Sequence, residues 1–364
     1  MLFPHSTSYR MNVAMLEYYI SEYIWSQPKD NHEVHFIWQG GEPTILGIDF
    51  FKKVIEFQQK YARSGMDIRN SIQTNGVLLN HEWGKFLHEQ NFLVGISIDG
   101  PQHFYDYYRR GKNGLSLYND VIRGIEFLKQ HAVEFNTLTC LNSLNSYYPK
   151  EIYDFLKKIG TTFMQFIPVV VNDSFGNVVS CSVNSLQYGK FLNGVLSRWL
   201  ELGDIGKIFI QDFDNLLGLL MGFQSSLCTH AVTCGNAIVI EHNGDVFSCD
   251  HYVNRENYLG NLQDNPLFKF VDSFQQIKFG EGKKRTLPLK CLQCKYLNLC
   301  NGGCPKDRFV ESGCEYKLNY LCEGYMKFFK HSIPLFKKMA KCLSLGRPAS
   351  EYDVIDDKID TIVN

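Results

Sequence analysis

Neither sign of charge is in excess. The chain carries 37 Lys and Arg against 38 Asp and Glu, a formal net charge of −1, so charge gives no argument for a nucleic-acid or anionic-membrane partner. Long apolar runs are lacking as well. The first thirty residues hold Arg10, Glu17 and Glu22 without an uninterrupted apolar core, and nowhere do eighteen apolar residues run together, so neither a secretory signal nor a membrane span is expected. There is no internal repeat and no low-complexity tract, and no cysteine precedes Cys140. Apolar and aromatic residues are plentiful instead, at 45% and 14% of 364 residues, enough for a sizeable core in one or two domains. A cytoplasmic protein is expected, in which disulfides are unusual and thiolate-bound metal is favoured.

The twelve cysteines are unevenly placed. Cys140, Cys181 and Cys342 stand apart, whereas nine fall between Cys228 and Cys322, the density of a small metal- or disulfide-stapled domain. Ahead of them, residues 11 to 171 alternate helical and strand-like segments. Helix-like patterns at 11–25, 49–62, 81–90, 118–131 and 149–159 interleave with strand-like runs at 34–38, 68–74, 93–98, 136–141 and 163–171. Several of these runs end in Gly-bearing turns: Gly40-Gly41-Glu42-Pro43, Asn75-Gly76 and Asp99-Gly100-Pro101. Regular alternation of this kind predicts a parallel α/β sheet with its ligand at the carboxyl ends of the strands. Beyond Val171 a loop to residue 185 and bridging helices over 186–223 are expected. Asn243-Gly244 between two short apolar runs predicts a β-hairpin, and a further helix is expected over 326–341, followed by a loosely ordered polar tail.

The cysteine spacing is Cys291-x2-Cys294-x5-Cys300-x3-Cys304, with Cys322 after it and Cys228-x5-Cys234 and Cys249 before it. Thiolates two or three residues apart on a turn converge on one soft metal centre. Eight of these make two sets of four, with Cys314 left over and expected to be a buried thiol. Spacing alone leaves structural zinc, iron–sulfur and disulfides open.

The chain resembles the anaerobic sulfatase-maturating enzymes, radical S-adenosylmethionine (SAM) proteins with a C-terminal twin-cluster SPASM domain. The resemblance runs from about Arg10 to Tyr325 through Trp38-Gln39-Gly40-Gly41-Glu42-Pro43, Gln73-Thr74-Asn75-Gly76, Ser97-Ile98-Asp99-Gly100-Pro101, Asn243 to His251 and the five-cysteine run. It implies a partial (β/α)6 radical SAM barrel lacking its first strand, with bridging helices, over 1–215. A cysteine-rich SPASM domain with a β-hairpin and short helices would follow over 216–325, and a helix and tail over 326–364. One auxiliary 4Fe–4S cluster would take Cys228, Cys234, Cys249 and Cys304, the other Cys291, Cys294, Cys300 and Cys322. Gly40, Gly41 and Glu42 would meet the SAM methionine, Gln73, Ser97 and Arg109 would contact the cofactor, and Val170 would pack near its adenine. Asp250 would be the general base, with His251 a structural neighbour.

The implied reaction is oxidation of a sulfatase Cys or Ser to Cα-formylglycine, with a flavodoxin or ferredoxin as electron donor. The family's catalytic cluster is bound by Cys-x3-Cys-x2-Cys after the first strand, and that motif is absent here. The chain is therefore expected to be an N-terminally truncated copy, inactive in SAM cleavage and poorly soluble, with a degenerate homologue as the competing explanation. Two other readings are another SPASM-type peptide modification and a non-catalytic cluster- or zinc-stapled binding protein.

Overall fold

The computed structural model describes residues 9–173 and 175–354. Its first elements alternate as the sequence predicts, except that the unexpected helix α4 precedes α5: α1 (Val13–Ser26), β1 (Glu33–Trp38), α2 (Ile48–Tyr61), β2 (Asp67–Thr74), α3 (His81–Glu89), β3 (Leu93–Ser97), α4 (Gln102–Tyr108), α5 (Tyr118–Gln130), β4 (Phe135–Leu141), α6 (Pro149–Lys158) and β5 (Phe163–Pro168). The bridging pair α7 (Ser185–Glu201) and α8 (Gln211–Leu220) flanks a two-residue strand, β6 (Phe209–Ile210). The sheet runs in the order β1-β2-β3-β4-β5-β6, and the pairings of β1 with β2, β2 with β3, β4 with β5 and β5 with β6 are parallel. β1 lies at one end of the sheet, and Ile37 on it is 60% exposed. The expected polar tail falls on 355–364, outside the described residues.

Two compact units divide the chain. The first joins Met1–Ile96 and Asp120–Glu134 to Thr233–Arg285. In it, Asn12 caps α1 by accepting the Met15 amide at 2.8 Å, satisfying one of the donors a helix start leaves unpaired. The buried face of α1 presents Met15, which joins Val246, Leu262, Leu267 and Phe270 in one core cluster. Val246 comes from the hairpin of β7 (Val239–Ile240) and β8 (Asp245–Phe247), which the Asn243-Gly244 turn closes. β9 (Tyr258–Asn261) completes that small sheet, and α9 (Leu267–Val271) and α10 (Phe274–Arg285) follow. Helix α5 packs against the turn after β2 only because residue 124 is glycine. A Cβ there would stand 2.2 Å from the Gly76 carbonyl oxygen. Backbone cannot yield as a side chain does, so Gly124→Ala is expected to destabilise this unit by about 1–3 kcal/mol; an unchanged urea midpoint would refute the close approach.

The second unit comprises Ser97–Asn119, Phe135–Val232 and Thr286–Asn364. Its axis is the crossing of α7 with the last long helix, which begins at Cys322. The Gly324 amide donates to Ser185 Oγ at 3.1 Å, and a Cβ on Gly324 would lie 2.2 Å from the Ser185 carbonyl oxygen. Between α10 and that helix come two one-turn helices, α11 (Leu289–Leu292) and α12 (Leu297–Cys300), and a ribbon of β10 (Arg308–Val310) with β11 (Leu318–Asn319). The long helix itself is α13 (Cys322–Ser344), longer at both ends than the sequence pattern predicts.

Candidate functional site

In the first unit, β1 ends at Trp38 and the chain turns through Gly40 at φ +130°, a conformation open to glycine. A Cβ on Gly40 or on Gly41 would meet nothing within 4 Å, so this edge of the turn faces open space. The Glu42 carboxylate that follows is a hub. Its Oε1 accepts the Thr44 amide at 3.1 Å, the Thr44 hydroxyl at 2.5 Å and the Thr74 hydroxyl at 2.6 Å, and its Oε2 accepts the Asn75 amide at 2.7 Å. The strand ends of β1 and β2 are therefore fastened to one ionised group, by the stronger charge-assisted type of bond. Gln73, half-buried, precedes Thr74 on β2.

In the second unit, Asp99 is buried just past β3 and organises the neighbouring strand end. The Arg109 guanidinium donates to it through Nε and through Nη2, the latter at 3.3 Å, and the Cys140 amide donates to Asp99 Oδ1 at 2.9 Å. Asn145 Nδ2 reaches the Asp99 and Cys140 carbonyls at 3.2 and 2.8 Å. Half-buried Arg109 is thus paired with buried Asp99, and burial pushes the adjoining Cys140 thiol up. Ser97 and Val170 are half-buried, at the end of β3 and just beyond β5. The resemblance that singled out Arg109 did not mark Asp99, Cys140 or Asn145 as its supports.

Asp250 is exposed, in a short turn after Cys249. Its Oδ1 accepts the Cys249 thiol at 3.2 Å and the His251 amide at 2.9 Å, so it is both a cysteine's neighbour and a turn aspartate. Cys249 and Cys234 belong to the first unit, Cys228 and Cys304 to the second. Burial pushes the Cys304 thiol up to about 11, and Cys228 is one of the smaller contributors to that rise.

Cys291, Cys294, Cys300 and Cys322 all line one cavity of about 220 Å³, with Tyr296, Leu318, Tyr325 and Phe329 in its wall. Successive tight turns aim them there: the Cys294 amide bonds the Cys291 carbonyl at 3.0 Å, the Leu297 amide the Cys294 carbonyl at 3.0 Å, and the Gly303 amide the Cys300 carbonyl at 2.8 Å. The Tyr296 amide points at Cys294 Sγ, 3.5 Å away. Burial pushes the Cys300 and Cys322 thiols up to about 11. Burial thus favours the neutral thiol at Cys300 and Cys322, and a bound cation would offset that cost by pairing with their thiolates. Among the described residues no three His, Cys, Asp or Glu side chains converge as a single-ion site; these four are spread round a cavity wall. Cys314 departs from expectation. It is exposed, not buried, held in a turn where Ser312 Oγ lies 3.0 Å from its sulfur.

Residues 7–158 match the radical SAM superfamily and residues 228–295 the SPASM iron-sulfur cluster-binding domain. A serine-type anaerobic sulfatase-maturating enzyme of Bacteroides thetaiotaomicron is 42% identical over 98% of this chain and 89% of its own length. This chain belongs to the anaerobic sulfatase-maturating enzyme family. A cysteine-type member from Clostridium perfringens is 33% identical, with 91% of each chain covered. The solved structure of native anSMEcpe with bound AdoMet and Kp18Cys peptide superposes with a TM-score of 0.83 at 32% identity, over 91% of both chains. As a sulfatase-maturating enzyme homologue, the protein is of the radical SAM oxidoreductase type, with domains that indicate iron–sulfur clusters and SAM binding; the solved relative holds AdoMet and a peptide. No helix among the described residues is long and apolar enough to cross a membrane.

Proposed function

We propose that this fold oxidises a serine or cysteine in a sulfatase peptide to Cα-formylglycine, using two auxiliary 4Fe–4S clusters. The observation that carries the reading is the single cavity walled by Cys291, Cys294, Cys300 and Cys322, a set of four soft donors that suits a cluster with no open iron. Cys228, Cys234, Cys249 and Cys304 would hold the other cluster. Gly40 and Gly41 leave room for a ligand's backbone-close approach, and Glu42 Oε2, engaged with the Asn75 amide, keeps acceptor capacity for a ligand ammonium group. Gln73, Ser97, Arg109 and Val170 would complete the SAM pocket, with Asp99 fixing the guanidinium.

When bound, SAM and the clusters supply the hydrogen-atom abstraction and the electron path. Serine becomes the aldehyde by losing one Cβ hydrogen atom, one hydroxyl proton and one electron. The chain's own part is the proton, which Asp250 would accept at a carboxylate oxygen; the auxiliary clusters would take up the electron, and a flavodoxin or ferredoxin in the cytoplasm would be the electron donor. For cysteine the same loss gives a thioaldehyde, which water converts to the aldehyde with release of hydrogen sulfide.

The 364 residues contain no Cys-x3-Cys-x2-Cys. Reconstituted anoxically with reductant, they are expected to form no 5′-deoxyadenosine. Fused behind a strand bearing that motif, the chain is expected to convert a peptide with Ser-x-Pro-x-Arg or Cys-x-Pro-x-Arg, read by mass spectrometry. In that fusion Asp250→Asn should abolish formylglycine while 5′-deoxyadenosine still forms. Peptide binding without any turnover by the fusion would instead support a binding protein.

A further inference from the structure

Directly after Cys300 the chain makes a turn that L-residues rarely adopt. Asn301, Gly302 and Gly303 stand at φ +45°, +74° and +65°, three left-handed residues in succession. One side chain bonds all three of their carbonyls. Arg308, the first residue of β10, donates through Nη2 to the Asn301 and Gly303 carbonyls at 3.0 and 3.3 Å and through Nε to the Gly302 carbonyl at 3.0 Å. Its Nη1 donates to Thr286 Oγ1 at 3.2 Å, and its backbone pairs with Asn319 on β11. The guanidinium lies directly behind the cavity wall. Gly302 lines the cavity of Cys291, Cys294, Cys300 and Cys322, and a Cβ there would stand 2.8 Å from Arg308 Nη2. Every residue of this arrangement belongs to the second unit.

We propose that Arg308 is a positioning residue for this cavity, whose planar fork holds the left-handed turn that aims Cys300 at the group the four cysteines bind. The inference rests on the reading that these four hold a cluster. Three carbonyls gathered on one side of a turn repel one another unless donors meet them all, and the guanidinium carries its N–H donors in one fixed plane. Lysine keeps the positive charge but has no such plane. Cys300 is tied to the turn at close range: the Gly303 amide donates to its carbonyl at 2.8 Å, and the Asn301 amide to the Leu297 carbonyl at 2.7 Å. Relaxing the turn therefore displaces Cys300, while Cys291, Cys294 and Cys322 sit on other segments and stay in place. Three thiolates still hold a cubane, with one iron open and labile.

The test follows iron passing to a ferrous chelator from the full chain, reconstituted anoxically with iron and sulfide. Cys300→Ala sets the reference, and should release about one iron per chain quickly where the wild type releases little. Arg308→Lys should release the same single iron, and should show the EPR signal of a 3Fe–4S cluster after mild oxidation. Combined with Cys300→Ala it should release nothing more, because the ligand it positions is already gone. A residue that merely stabilised the fold would add its own loss to that of Cys300→Ala. If Arg308→Lys takes up no iron, Thr286→Val, which removes one anchor of the fork and leaves the carbonyl bonds, should release that iron faster than wild type. Release at the wild-type rate from the variant tested, or further release from the double variant, would overturn the inference and leave the cluster reading standing. A Cys300→Ala chain indistinguishable from wild type would overturn both.

Discussion

A Cys300→Ala, Cys322→Ala double variant should hold about four irons per chain where the wild type holds about eight, with acid-labile sulfide falling in step. Both residues line the same cavity as Cys291 and Cys294, so the double change halves one donor set and leaves the other four cysteines intact. A single substitution is a weaker test, because three thiolates still suffice to hold a cubane with one open iron. The structural cost should be as plain as the loss of iron. Binding free energy at a site that forms only on folding is folding free energy, and here Cys322 is the first residue of α13 while Cys300 ends α12. Thermal unfolding of the anoxic double variant is expected well below wild type. Cys314→Ser is the contrast. Its thiol is exposed and should be dispensable for iron. Zinc at one or two per chain with little iron would make the cysteines structural and move the binding-protein reading forward.

The legibility of this chain followed the range over which each signal acts. Local signals carried: the amphipathic stretch at residues 49–62 became α2 at Ile48–Tyr61, burying Phe51, Val54 and Phe57 on one face. Asn243-Gly244 became the turn of an antiparallel hairpin, with Gly244 at φ +88°. Elements without an apolar stripe went unseen. Helix α10 buries Gln276, Gly280 and Lys283, and Gly280 is required because a Cβ there would stand 2.3 Å from the Cys234 carbonyl oxygen. No hydrophobic period marks such a face. The two-residue β6 is set by its pairing with Phe163 and Met164, a partner far away in sequence. The same limit governed the site. Cysteine spacing marked Cys291, Cys294 and Cys300 as thiols on tight turns, a local pattern, whereas Cys322 was grouped with them only by the family resemblance; all four line one cavity. The Asp99–Arg109–Cys140 cluster joins residues ten and forty-one positions apart, and only the folded sheet brings them together.

Glu42→Ala should be the most costly single change outside the cysteines, at about 3–5 kcal/mol in the unit that contains it. The residue looks like a ligand group in the sequence, yet in the fold it is also the fastening between two strand ends. Removing it strands the amides of Thr44 and Asn75 and the hydroxyls of Thr44 and Thr74, and bonds to a charged acceptor contribute about 1.5–3 kcal/mol each before water re-enters. Glutamine does not rescue it. Turned one way, its NH2 group faces the Asn75 amide; turned the other, it faces the Thr44 amide, so either orientation sets donor against donor. Glu42→Gln should therefore lose about 1–3 kcal/mol, and hydrogen exchange should quicken at Asn75 or Thr44 while amides in α13 keep their protection. Equal stability of Glu42→Gln and wild type would mean that the carboxylate is free of these partners and reserved for a ligand alone. The expected loss means that a ligand ammonium group at Gly40-Gly41 would meet a carboxylate already oriented by the protein, and would spend little of its binding free energy on ordering it.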